Sequence, residues 1–271
     1  MSPHTDSAGE EGAPARLPVH LRGNTADSAG QSWEGRAFQP NPAAGDDGSA
    51  DPALLAALGA FRSGVGSEEA VVDALRGARV LVPLIAEKGD EGVGPTGLAV
   101  DKTQELSIVT VAAPDGRKVL PAFTSVDTMR TWNALARPIP VAGTRAALAA
   151  AGEDTDLIVL DPTSPTEFVV RRPAIWAIAQ EQPWTPAWLS TEVADAFHRS
   201  IGTELAVQDI EISAGDPEAR LRGPELTVTL TLMPGLGRAE LDTILGRLAR
   251  RWAGEDRIAV LVDSMQVRIG S

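Results

Sequence analysis

The chain has 271 residues, 43% of them hydrophobic, and a formal net charge of −13 at pH 7. This length accommodates one large or two small domains, and the apolar content is sufficient for a hydrophobic core. Because nucleic acids and anionic membranes are bound through Lys and Arg side chains, the acidic charge disfavours both as partners. The absence of Cys excludes disulfides, thiolate nucleophiles and zinc–thiolate sites. Without a signal peptide or a spanning apolar run, we expect a cytoplasmic protein.

Residues 1–50 are rich in Gly, Ala, Pro and Asp and have no periodic apolar positions. Such a segment cannot bury enough surface to offset the entropy of ordering, so we predict a disordered acidic arm. Within it, Trp33 and Phe38 form an aromatic motif with Arg36 between them. We expect this motif either to pack on the protein's own surface, which we favour, or to bind a partner protein.

The first folded part is predicted to begin at Asp51-Pro52, where an N-cap residue precedes a proline in the first helical turn. A second helix is expected after Ser67 and is ended by Gly77. Three strands are then expected to form an antiparallel meander, at Arg79–Ile85, Leu106–Val111 and Lys118–Phe123. Pro83 indicates an edge strand or a strand end, since proline cannot donate to a sheet.

Ser125 is a suitable N-cap for a helix that extends to Leu135 and ends at Arg137-Pro138. The elements expected next are a helix at Thr144–Ala151, strands at Leu157–Leu160 and Phe168–Val170, and a helix opened by Pro173. Two prolines make residues 183–186 the expected linker. It divides the folded chain into domains at residues 51–182 and 187–271.

The second domain is predicted to contain a helix at Ser190–Ile201, strands at Glu204–Ile212 and Glu225–Leu232, a helix at Arg238–Trp252 and a last strand at Arg257–Val262. Leu and Val alternate with Thr in the second of these strands, which is typical of a strand with one wet face. At a sheet edge it could pair with a second copy of the chain. The expected fold class is α+β: a mixed, largely antiparallel sheet flanked by helices, followed by a smaller α/β C-terminal domain.

Arg79–Pro83 and Val119–Ser125, together with Trp132, resemble the N-terminal domain of the SseB family. The resemblance covers about Leu54 to Gln180, and the arm around Gly45–Pro52 resembles the actinobacterial branch of that family. It implies an α/β domain of poorly defined biochemical role, named for a serine-sensitivity phenotype. It brings no established catalytic residues.

Phe123, Thr124 and Ser125 lie at a predicted strand-to-helix transition, where the first amides of the helix could bind an anion. The alternative, which we favour, is that Ser125 acts only as an N-cap, because Asp127 discourages an anion there. His198 is the one His outside the arm, so neither a His metal site nor a catalytic triad can be nominated. We therefore predict no catalytic residue, no metal site and no cofactor.

Basic side chains are concentrated at Arg117-Lys118 and at Arg171-Arg172. They are the nearest approach to a nucleic-acid patch in this acidic chain, and we interpret them instead as solvated charges at strand ends.

The leading functional hypothesis is a non-enzymatic binding or adaptor protein. Its candidate contact residues are Trp33, Arg36, Phe38, Phe123, Thr124 and Ser125. The alternative is a small-molecule-binding regulator or an enzyme that uses carboxylates and helix-terminal amides, linked to amino-acid (serine) metabolism as the family name implies. Self-association is a third possibility.

Overall fold

A computed structural model of the protein describes residues 45–86, 92–93, 99–100, 106–108, 110–113, 116–152, 155 and 157–270. The described residues from Asp46 onward form one compact unit. Trp33, Arg36 and Phe38 of the predicted arm lie outside the described residues, whereas the last part of the arm, residues 45–50, lies within them. Within the described ranges, no helix has the length and apolar character needed to cross a bilayer.

The first part of this unit contains, in chain order, α1 (Pro52–Arg62), α2 (Glu68–Gly77), β1 (Arg79–Ala86), β2 (Gly92–Val93), β3 (Ala99–Val100), β4 (Leu106–Ile108), β5 (Val111–Ala112), β6 (Lys118–Ala122), α3 (Val126–Trp132), β7 (Arg137–Ala142), α4 (Gly143–Gly152), β8 (Leu157–Leu160), β9 (Phe168–Arg171) and α5 (Arg172–Ala179). The two predicted N-caps are confirmed. The Asp51 carboxylate accepts from the amides of Ala53 and Leu54, and the Ser67 hydroxyl accepts from the amide of Ala70.

Strand β1 is the central strand of an antiparallel sheet, between β4 and β7. The expectation that Pro83 marks an edge or a strand end is wrong. Pro83 lies opposite Pro138, and two opposed prolines fit a pair that exchanges no hydrogen bonds. On its other side Pro83 falls between Leu81, which exchanges backbone hydrogen bonds with Phe123, and Leu84, where pairing with β4 begins. The missing N–H of Pro83 thus falls at a gap in the ladder.

A second sheet has the strand order β5-β6-β8-β9. Its central pair, β6 and β8, is parallel, whereas the two outer pairs are antiparallel. The predicted continuous strand at Leu106–Val111 is divided between the two sheets, since β4 pairs with β1 and β5 pairs with β6. The chain therefore changes sheets within the predicted meander.

Helix α3 ends earlier than predicted, and the strand that follows it is absent from the prediction. The Asn133 side-chain oxygen accepts the amide of Leu135 at 2.9 Å, a local bond that competes with helix continuation. Leu135 is consequently 85% exposed rather than part of the helix. Arg137–Ala142 then pairs with β1 as strand β7. This strand was not predicted because it contains two prolines, which are rare in strands.

The second part contains a 3-10 turn (Ala187–Leu189), α6 (Thr191–Ile201), β10 (Val207–Ala214), β11 (Leu226–Leu232), α7 (Arg238–Ala253), α8 (Asp256–Leu261) and β12 (Met265–Gly270). Its sheet has the order β10-β11-β12, in which the first pair is antiparallel and the second is parallel. Helices α7 and α8 form the crossover between the two parallel strands. These elements form a βαβ unit, whose last strand is Met265–Gly270 and not the predicted Arg257–Val262.

Two predictions for this part are wrong. Arg257–Val262 is not a strand, because α8 occupies Asp256–Leu261 and buries Ile258 in the core. Strand β11 is the central strand of its sheet and does not lie at an edge. The face of β11 that carries the Thr residues is only partly exposed to solvent. Thr227 is buried, and its hydroxyl accepts from the Gln266 side-chain amide at 2.8 Å.

The helices and sheets enclose two principal hydrophobic cores. One joins α1, α2, α4 and α5 to the sheets of the first part, and the other joins α6, α7 and α8 to β10 and β11. The α+β fold class is confirmed. The division into domains at 51–182 and 187–271 stays a prediction.

Candidate functional site

Helix α5 and the segment that follows it lie against α8, so residues from the two cores meet there. The Arg172 guanidinium donates to the carbonyls of Ala259 and Val262 at 3.3 and 3.0 Å. These carbonyls are at the end of α8, where helices leave acceptors unsatisfied and carry partial negative charge. Arg172 thereby fixes α8 beside the start of α5.

A buried charge network lies on one side of this junction. Arg171 pairs with Asp216 at 2.8 Å and with Asp263 at 3.0 Å, and its side chain and both carboxylates are almost fully buried. It also donates to the carbonyl of Gly223 at 3.0 Å. Arg117 approaches the Asp263 carboxylate at 2.8 Å. For Arg171, the interpretation as a solvated strand-end charge is therefore wrong.

Glu225 adds a third acid to this network. Its carboxylate accepts the amide of Asp263 at 2.5 Å, and its own amide donates to the Ser264 hydroxyl at 3.1 Å. Burial raises the pKa of Glu225 from 4.5 to about 7, and the nearby charges of Asp263 and Glu68 act in the same direction. Burial also raises the pKa of Glu68. The network thus holds a carboxyl group that changes charge near neutral pH.

A groove of about 540 Å³ lies at the same junction, along α5, the segment 182–186, the start of α6 and α8. Several apolar side chains that line it are exposed to solvent. Trp176 is 40% exposed, Leu189 50% and Val260 49%. Trp184 is half-buried in the groove wall and packs against the first core, which holds its ring in place.

Polar groups surround these apolar side chains. The Arg172 guanidinium lies 5.8 Å from the centre of the Trp176 ring, within cation–π range. Glu192 and Arg257 form an ion pair at 3.1 Å, and both side chains are largely exposed. Gln180 and Gln182 also line the groove, and the Gln182 side-chain amide donates to the carbonyl of Gln180 at 3.4 Å. Apolar anchors with hydrogen-bonding groups around them suit a segment that inserts side chains and keeps its backbone polar groups bonded.

The predicted residues Phe123, Thr124 and Ser125 lie elsewhere, between β6 and α3. The Thr124 amide and hydroxyl both donate to the buried Asp161 carboxylate at 2.8 Å. Ser125 caps α3 together with Thr128, as predicted. The next amide, of Val126, donates to the Gly48 carbonyl at 2.9 Å. These amides are engaged within the chain, and a contact role for the three residues stays a prediction.

Other chemical groups are placed as follows. His198 is exposed on α6, and its Nδ1 lies 2.7 Å from the carbonyl of Ala194. In the part of the chain that the structure describes, no three acidic or His side chains are grouped so as to hold a metal ion.

Sequence reasoning missed the groove residues. The sequence predicts that Trp176 lies in the helix opened by Pro173 and that Trp184 lies in the linker, but it does not indicate that either side chain lines a groove. One signal was available: an aromatic residue between Pro183 and Pro186 is a large apolar group in a segment that cannot form a regular element.

The protein is therefore of the α+β class, and it has an open apolar groove at the junction of its two hydrophobic cores. Residues 54–177 match the family model described as the SseB protein N-terminal domain. The groove is lined by residues of α5, at the end of the matched range, and by residues that follow this range in the sequence. Neither a search of the curated proteins nor a search of the solved structures found a match.

Proposed function

We propose that the protein is a cytoplasmic, non-enzymatic adaptor that binds an extended segment of a partner protein in the groove along α5 and α8. The observation that carries this proposal is the exposure of Trp176, Leu189 and Val260 around one cleft of about 540 Å³. Exposed apolar side chains grouped in a concave site mark interaction surfaces, because leaving them in water is unfavourable.

The chemistry of the groove favours a proline-containing segment. Proline rings pack well on indole faces, and the groove offers Trp176 and Trp184. A polyproline II helix makes no hydrogen bonds within itself, so its carbonyls need donors from the binding protein. Gln180 and Gln182 line the groove and are the candidate donors. Such a segment is also already extended, which lowers the entropy lost on binding.

A second contact surface is proposed for the N-terminal motif of Trp33, Arg36 and Phe38. An adaptor benefits from two separate surfaces because linked binding events raise the overall affinity. The two surfaces can be tested independently, since the motif and the groove share no residue and can be substituted separately.

Selection from a phage-displayed random peptide library against the full-length protein tests the groove. We expect enriched peptides that contain proline, and we expect Trp176→Ala to weaken their binding roughly tenfold or more, as for a buried aromatic anchor at an interface. Affinity would be measured by titration calorimetry with a synthetic copy of the enriched peptide.

Leu205→Ala is the matched control, because Leu205 is 90% exposed and does not line the groove. It should leave peptide affinity unchanged. Selection without enrichment, or peptides that bind the Trp176→Ala variant as tightly as the unaltered protein, would contradict the proposal.

A further inference from the structure

The two edges of the C-terminal sheet are built differently. Edge strand β10 exposes Asp209 and Glu211, and its register with β11 shifts between Val207 and Asp209. Charged side chains and bulges are the devices by which proteins prevent an edge strand from pairing with another chain. The β10 edge is therefore protected against strand addition.

Edge strand β12 has no bulge in its pairing with β11, and it has few charged side chains. Its register with β11 is regular from Met265 to Gly270. Val267 is 39% exposed and Ile269 46% exposed, and Arg268 is the single charged residue of the strand. Within the described part of the chain, β11 is the only segment with which the β12 backbone forms hydrogen bonds. This strand is open to pairing.

An apolar groove of about 380 Å³ lies beside β12, on the side of the sheet covered by α7 and α8. Met265 and Val267 line it from the strand, with Trp252 and Ile258 from the helices. Because side chains alternate along a strand, Ile269 projects to the same face. The free edge of β12 and the exposed apolar side chains therefore lie on the same strand.

We propose that β12 pairs antiparallel with β12 of a second copy of the chain, about a two-fold axis at Val267, and so joins two three-stranded sheets into one of six strands. In this register Met265 faces Ile269 of the second copy, and Val267 faces its own equivalent. Gln266 faces Arg268. All the apolar side chains meet apolar side chains, and no like charges are opposed.

Neighbouring registers are less favourable. An axis at Arg268 places two arginines directly opposite each other, which is destabilising. An axis at Gln266 places Ile269 opposite Asp263 of the second copy. The sequence of β12 is therefore self-complementary about one residue, which argues for a second copy as the occupant rather than an unrelated strand.

Single-cysteine variants test this pairing in the full-length protein, because the chain contains no Cys of its own. Directly opposed residues of an antiparallel pair have Cβ atoms about 5 Å apart, close to disulfide distance. Val267→Cys is expected to form a disulfide-linked dimer under mild oxidation. Ile269→Cys is expected to do so far more slowly, since its equivalent lies four residues away along the strand, or roughly 13 Å.

Gln208→Cys, an exposed position on the protected β10 edge, is the matched control and should also cross-link slowly. Sedimentation equilibrium of the unaltered protein should show a monomer–dimer equilibrium. Val267→Lys, which opposes two lysines on the axis, should raise its dissociation constant roughly tenfold or more. A protein that sediments only as a monomer, a dimer that Val267→Lys leaves intact, or equal cross-linking at the three cysteine positions would overturn the proposal.

Discussion

Replacement of Arg171 by Met is expected to lower the free energy of unfolding by about 3–5 kcal/mol at pH 7, the usual cost of removing one member of a buried ion pair. The apolar stem of Met replaces part of the lost packing, but Asp216 and Asp263 would remain buried without the guanidinium that both contact. Urea unfolding followed by circular dichroism measures the change.

Arg199→Met is the control for this substitution. Arg199 lies 4.0 Å from Glu255, and its side chain is 63% exposed, so the change should be below about 1 kcal/mol. Conversion of Asp216 to Asn in the Arg171→Met background should restore part of the lost stability, since the buried charge that has lost its partner is then gone, whereas Asp263 keeps its ion pair with Arg117. If Arg171→Met and Arg199→Met were equally stable, the buried network would not contribute the stability expected of it.

Glu225→Gln is expected to become more stabilising as the pH rises. The raised pKa of Glu225, about 7 against 4.5, means that the folded state binds more protons than the unfolded state between these pH values. The contribution of Glu225 to stability therefore falls as the pH increases through this window, by roughly 3 kcal/mol in total. Gln resembles the protonated acid and does not titrate.

The measurement is the free energy of unfolding of both proteins from pH 4.5 to 8. At the acid end the two should agree closely, and at pH 8 the variant should be more stable by up to roughly 3 kcal/mol. Glu211→Gln, at an exposed position on β10, is the control substitution measured under the same conditions. A difference for Glu225→Gln that does not change with pH, or that favours the unaltered protein at pH 8, would contradict the assigned environment of Glu225.

Helix starts and the stronger strands could be predicted from the sequence because their signals are local. Asp51, Ser67 and Ser125 cap helices through bonds to amides two or three residues away. The early end of α3 follows from the local bond between Asn133 and Leu135, but the other errors occurred where distant contacts override local preference. The β-branched segment at α8 favours a strand by composition, but its packing against the second core and the bonds from Arg172 to its terminal carbonyls favour a helix.

The candidate site could not be predicted for the same reason. Arg171 meets Asp216 and Asp263 across 45 and 92 residues of sequence. The groove likewise combines Trp176 with Val260 from an element whose type was predicted wrongly. A single sequence carries no signal of such pairings, although the SseB resemblance did identify the domain that contains α5.

The six Trp residues of the chain allow the groove to be tested directly. Fluorine NMR of the full-length protein labelled with fluorotryptophan, assigned by single Trp→Phe variants, gives one resonance for each indole. On titration with a synthetic proline-rich peptide, the resonances of Trp176 and Trp184 should move in a saturable manner, and those of Trp132 and Trp252 should not. Peptide-induced shifts confined to Trp33 or Trp132, or no shifts at peptide concentrations that saturate binding, would contradict a peptide-binding role for the groove.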